Sequence, residues 1–136
     1  METGEAVRAD LTGLGEGFAA FWAERQLSTL TTVRADGTPH VVPVGVTLDI
    51  AEATARVICS GTSYKARTVA AGNGNVAVCQ VDGRRWSTLE GRATVRTEPE
   101  QVADAERRYA ERYKTPRVNP RRVVIEIAVT KVLGNV

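Results

Sequence analysis

Histidine is almost missing from these 136 residues, where His40 stands alone. A metal centre built from several imidazoles of one chain is therefore excluded, and zinc chemistry is not expected. The same scarcity leaves Ser-His-Asp or Cys-His catalysis with a single candidate base, and no nucleophile elbow accompanies it. Cysteine is scarce as well. Cys59 and Cys79 lie far apart in β-rich runs without a CxxC spacing, and read as small buried hydrophobes. No apolar run approaches the roughly eighteen residues of a membrane span. The opening METGEAVRADLTGLGEG lacks the basic start and apolar stretch of a secretory signal, so a cytoplasmic protein with no membrane partner is expected. Neither a Walker pattern nor GxGxxG follows a strand, which argues against a nucleotide hydrolase or a Rossmann nicotinamide enzyme. A formal charge of +2 is too small to imply a nucleic-acid partner.

What is present suits an ordinary globular protein of one domain, with 43% hydrophobic and 25% charged residues. Gly13, Gly15 and Gly17 make the start a poor helix, so residues 1–17 are expected to be flexible and residues 18–136 to form the folded domain. A short helix is expected from Phe18, with Phe18, Phe21, Trp22 and Arg25 spaced for one face. LSTLTTVR and PHVVPVGVTLD flank Asp36-Gly37, a hairpin signal, since glycine supplies the positive φ of a tight turn. ATARVICS, NVAVCQVD, WSTLEGRATVRT and RRVVIEIAVTKVLG read as four more strands. Helices are expected from Tyr64 to about Ala71, stopped by Gly72, and from Pro99 through PEQVADAERRYAERY. Six strands with inserted helices and short connections favour a closed or nearly closed antiparallel barrel over βαβ units.

Three places carry candidate chemistry. SGTSYKAR brings hydroxyls, amides and two cations, Lys65 and Arg67, to a helix start; it is either an anion site or a capped surface helix with solvated charges. Arg117, Arg121 and Arg122 surround Asn119 and Pro120, and form either a cationic edge facing an acidic ligand or a solvated loop. Gln80, Asp82 and Trp86 flank the Gly83-Arg84-Arg85 turn and offer polar groups beside an aromatic face, although an ordinary half-buried Trp explains the latter equally well. Val42-Pro43-Val44-Gly45 interrupts a strand, as a bulge, a close backbone approach or an edge would. No side chain is singled out as catalytic.

In order, STLTTVRADGTPHVVPVGVTLD, SGTSYKAR, VAVCQVDGRRWSTLEGRATV and RYAERYKTPRVNPRRVVIEI resemble the pyridoxamine-phosphate-oxidase-like split barrels. Within that family they are most similar to the actinobacterial branch that uses the deazaflavin coenzyme F420, and the stretch from Gln80 to Glu90 with TPRVNPRR resembles its biliverdin-reducing members. The resemblance runs from about Phe18 to Gly134. It implies a mainly β, six-stranded antiparallel split β-barrel and a homodimer with cofactor sites at its interface. It also implies that Val42, Pro43, Val44 and Gly45 lie against the deazaflavin ring. Ser60, Gly61, Thr62, Lys65, Ala66 and Arg67 would take the phosphate and tail, with Lys65 the main anchor. Gln80, Val81, Asp82 and Trp86 would line the ring or substrate side, and Arg117, Asn119 and Arg121 would approach from the other subunit. The implied reaction is hydride transfer from reduced F420 to an organic acceptor, biliverdin becoming bilirubin. Two alternatives stay open because fold does not fix function: an FMN-dependent oxidase or reductase, and a non-catalytic carrier of F420 or a tetrapyrrole.

Overall fold

In the computed structural model, which describes residues 7–136, the Asp36-Gly37 turn closes the first hairpin as its residues require. Strands β1 (Ser28–Val33) and β2 (Pro39–Val44) pair antiparallel. Between them the Asp36 carboxylate accepts from the Thr38 amide at 3.0 Å and hydroxyl at 2.6 Å, while Gly37 takes φ +90°. The remaining strands are β3 (Thr47–Asp49), β4 (Thr54–Ser60), β5 (Asn75–Asp82), β6 (Arg85–Arg96) and β7 (Arg122–Gly134). All neighbours pair antiparallel in the order β2-β1-β5-β6-β7-β4-β3.

The expected six-stranded barrel is corrected here to a seven-stranded sheet whose edges, β2 and β3, do not pair with each other among the described residues. The cause is local. The segment expected to run as one strand from Pro39 to Asp49 breaks at Gly45-Val46, and its two halves become opposite edges of the sheet. Since only two residues separate them, the sheet must curl to bring its edges within reach of that connection.

Three helices pack on this sheet. Helix α1 spans Glu16–Ala23, α2 Tyr64–Ala70 and α3 Pro99–Arg112, with a 3₁₀ turn at Thr12–Leu14. In α1, Phe18, Phe21 and Trp22 are buried as their spacing demands, whereas Arg25, beyond the helix end, is exposed. Burying one such aromatic ring contributes about 2–3 kcal/mol. The Trp22 indole N–H also finds an acceptor, donating to the buried Ser87 hydroxyl at 3.0 Å. Within the N-terminal segment, residues 1–6 lie outside the described residues, while Leu11 is buried and the Ala9 amide donates to the Val129 carbonyl.

Along β7, Ile125, Ile127 and Val129 face the core with Leu30, Val57, Val78 and Leu89. Val124, on the opposite face, is buried as well, on the side where α3 packs against β4 and β7. Among the described residues no helix is long and apolar enough to cross a membrane.

Candidate functional site

The break at Gly45 is where the site begins. A Cβ at Gly45 would stand 2.9 Å from Tyr109 Cε2 and 3.1 Å from Tyr113 Cε2, so only glycine lets these two rings of the α3 end lie against the strand. Tyr113 is pinned there. Its hydroxyl donates to the Gln26 carbonyl at 2.7 Å and accepts from the Val46 amide at 3.1 Å. Burial pushes its phenol pKa above the usual value of 10.0.

Arg112 fixes the same junction from inside. Its guanidinium donates to the Glu24 carbonyl from Nε at 2.9 Å and Nη2 at 2.7 Å, to Gln80 Oε1 at 2.6 Å, and to the Val46 carbonyl. These are neutral acceptors, and burial lowers the Arg112 pKa. One side chain thus joins α1, α3, β5 and the β2–β3 connection.

The groove that results has a volume of about 680 Å³. Its apolar lining is Pro43, Val44, Gly45, Ile58 and Tyr109, and its polar lining is Lys65, Lys114, Arg117 and Arg122 with Thr115 and Pro116 of the loop after α3. No acidic side chain among the described residues lines it. Among the described residues Lys65, Lys114 and Arg117 make no ion pair. Arg122 differs, being 10% exposed and bound through Nη1 to Glu106 at 2.8 Å, while its buried Nε has no hydrogen-bond partner. A guanidinium N–H held that way disfavours the isolated chain by about 1–3 kcal/mol until an acceptor reaches it.

The structure sorts the residues singled out from sequence. Pro43, Val44, Gly45, Lys65 and Arg117 meet in the groove. Val42 alternates away from Pro43 and packs on the core. The SGTSYKAR junction is not the expected array of free amides. Gly61 N–H donates to the Arg121 carbonyl and Ser63 N–H to the Ser60 carbonyl, while Ala66 N–H is capped by the Ser63 hydroxyl. The Ser60 and Thr62 hydroxyls bond each other at 2.9 Å, and Ala66 is buried. What this junction keeps for an anion is the Lys65 ammonium and the first two helix amides, of Tyr64 and Lys65. Arg67 leaves the groove and sits over the Tyr64 ring, which Arg34 and His40 also approach.

Gln80 is not in the groove either. It is fully buried, donating to the Phe21 carbonyl at 2.8 Å while accepting from Arg112. Asp82 pairs with Arg85, which also bridges to Glu24. Val81 and Trp86 are exposed partners across the β5–β6 hairpin, on the outer face of the sheet. Asn119 shapes the turn before β7, its side-chain oxygen accepting from the Arg121 amide at 2.9 Å; it lines a neighbouring groove with Arg117 and Arg122. Arg121 is exposed and joins neither groove. Lys114, Tyr109 and Ile58 are members that the sequence reading missed, and Arg122 replaces Arg121 as the inner arginine.

An apolar lining beside four cations makes the groove complementary to a flat molecule that carries an anionic group. That groove is set on a curled antiparallel sheet with three helices, the architecture of a small mainly β domain. The chain belongs to the pyridoxamine 5'-phosphate oxidase family, which it matches over residues 14–135. It is 53% identical over 124 residues to an F420H(2)-dependent biliverdin reductase of Mycobacterium tuberculosis, covering 91% of this chain and 90% of that protein. Its fold is shared by a solved conserved hypothetical protein of Mycobacterium tuberculosis, with TM-score 0.76, 22% identity, and coverage of 93% of this chain and 87% of that one. It is likewise shared by an F420 reductase, with TM-score 0.71, 24% identity, and coverage of 88% and 98%.

Proposed function

We propose that this chain is an F420H2-dependent oxidoreductase that reduces biliverdin to bilirubin, and that the Pro43–Arg122 groove holds the deazaflavin. The observation that carries the reading is 53% identity to the mycobacterial biliverdin reductase over nine-tenths of both chains. The groove supports it on its own terms. Pro43, Ile58 and Tyr109 give it an apolar lining, Lys65, Lys114 and Arg117 are unpaired cations among the described residues, and Arg122 Nε is a buried donor lacking an acceptor. In this reading Lys65 and Arg122 hold the phosphate, Pro43 and the Val44–Gly45 backbone face the ring, and Tyr109 closes its edge.

When bound, reduced F420 supplies a hydride to the central methine carbon of the acceptor, which takes a proton at a pyrrole nitrogen, so that the cofactor leaves oxidised. The chain's task is orientation and charge. Four cations neutralise the cofactor's anions, and Arg112 with Tyr113 keeps the β2–β3 wall fixed while they do so.

A second copy of the chain is the proposed partner. Val41, Val81 and Trp86 are exposed on the outer face of β2, β1, β5 and β6, where Thr29, Cys79 and Thr88 lie between them in register. A strip of this kind, bounded on β6 by Glu90 in the Val41 row, favours burial against its like. Sedimentation should give a dimer, and Val81→Lys a monomer; a monomeric native chain removes this part. For the cofactor, fluorescence-quenching titrations with F420 and FMN should favour F420, and biliverdin should drive oxidation of F420H2. Preference for FMN overturns the assignment, and tight F420 binding without turnover makes the protein a carrier.

A further inference from the structure

A hydride passes only between atoms about 3–3.5 Å apart, so an acceptor must stack on the donor and its ends must run on into space that adjoins the donor's groove. Two neighbouring grooves adjoin it. The first, about 470 Å³, shares Thr115, Pro116, Arg117 and Arg122, which belong to the cationic end, and it carries Glu106. The second, about 290 Å³, is formed by Arg25, Gln26, Leu27, Tyr109, Tyr113 and Lys114. It shares Tyr109 and Lys114 with the main groove and meets it at Gly45, against which both tyrosine rings lie. The β1–β2 register agrees: Ser28 pairs with Val44, so one residue further along Leu27 stands beside Gly45.

We propose that this second groove is the acceptor subsite, taking the carboxylate-bearing end of a flat conjugated acceptor. The proposal rests on the reading of the main groove as the deazaflavin site. Its chemistry is amphipathic. Leu27 is 63% exposed beside two tyrosine rings, and no acidic residue lines the groove. Arg25 and Lys114 stand at its rim with no carboxylate in ion-pair range among the described residues. Apolar surface flanked by free cations favours a conjugated body with anionic arms over a neutral quinone or a cationic dye. The other neighbouring groove touches none of the apolar lining of the main groove, and its Glu106 already occupies Arg122.

Two exposed positions test this without touching cofactor contacts, Arg25→Gln and Leu27→Ser. The β1–β5 register sets Leu27 beside Val81 of the proposed dimer face, so sedimentation of Leu27→Ser must give the native oligomer before its titrations are compared. The probes are biliverdin and its dimethyl ester, titrated by absorbance with and without oxidised F420, and F420 itself by fluorescence. Arg25→Gln should weaken biliverdin about two- to five-fold and leave the ester unchanged, the range of one exposed charge pair. Leu27→Ser should weaken both by about five-fold. F420 affinity should be that of the native chain in both. Unchanged biliverdin affinity in both variants overturns the subsite, and equal weakening of acid and ester by Arg25→Gln overturns the charge recognition. Failure of the native chain to bind F420 overturns the cofactor reading instead, and the biliverdin titrations then still report on this groove.

Discussion

Replacing Gln80 by leucine separates two roles for one residue, cofactor contact and internal strut. Gln80 is 0% exposed, and both ends of its amide are used. Its Nε2 donates at 2.8 Å to the Phe21 carbonyl, one of the last four of α1 and so without an intrahelical partner. Its Oε1 accepts at 2.6 Å from Arg112. Leucine fills the same space and serves neither. A buried polar group left without its partner costs about 1–3 kcal/mol. The Phe21 carbonyl takes that in full, whereas Arg112 keeps the Glu24 and Val46 carbonyls and loses at the low end. Together they give about 2–4 kcal/mol, a large share of the roughly 5–15 kcal/mol that holds a domain folded. For a chain of this length the melting temperature should fall by roughly 6–15 °C. Urea and thermal unfolding of Gln80→Leu measure this, and F420 titration well below the transition should give the native affinity. A melting point within about 2 °C of the native one, together with lost F420 binding, would refute the strut and return Gln80 to the cofactor.

Three further expectations follow from the same contacts. Gly45→Ala places a methyl group 2.9 Å from Tyr109 Cε2 and 3.1 Å from Tyr113 Cε2; because Tyr113 is pinned, Tyr109 must move, and F420 affinity should fall about tenfold at a cost in stability of about 1–3 kcal/mol. Relief by adding Tyr109→Leu checks the cause. Lys65→Ala and Arg122→Gln should each weaken F420 by about ten- to a hundred-fold but leave a deazaflavin lacking the phosphate unaffected, the range of a lost charge-assisted bond; equal effects on both ligands would count against phosphate contact. Tyr113 has a raised phenol pKa, so its neutral form is favoured in the fold. The stability it contributes is complete below the unfolded value of 10.0 and is lost as pH rises from there toward the folded value. Alkaline denaturation should therefore be less steep above pH 10 in Tyr113→Phe than in the native chain, and identical slopes would discard the link.

Most of the sheet was legible because its signals are local. Asp36-Gly37, the alternation through β6 and β7, and the Ser63 cap each depend on residues within a few positions of one another. The strand count was not. Nothing in PHVVPVGVTLD distinguishes one bent strand from two edges of a curled sheet, since that depends on what lies against Gly45. The answer came from Tyr109 and Tyr113, more than sixty residues away, whose rings occupy the space of a side chain there. A glycine demanded by a distant aromatic pair looks, in sequence, like any glycine in a strand.

The site followed the same division. Pro43, Val44, Gly45, Lys65 and Arg117 converge although they come from three separate segments. Arg121 and Arg122, adjacent and chemically identical, are divided by strand geometry alone. Arg122 begins β7 opposite Ser60, which turns its side chain inward to Glu106, while Arg121 stays outside with its carbonyl held by Gly61. A one-residue alternation of this kind decides which arginine meets an anion, and it is fixed only when the register with β4 is known. The SGTSYKAR segment teaches the converse. Its hydroxyls and glycine suggested amides free to bind phosphate, but the fold spends those of Gly61, Ser63 and Ala66 on the turn and cap, which leaves the first two helix amides and the Lys65 ammonium. The positive charge at Lys65 is therefore a large part of what this junction offers an anion. An exchange of Lys65 for arginine should be tolerated better than its removal, because the charge remains while only its point geometry changes.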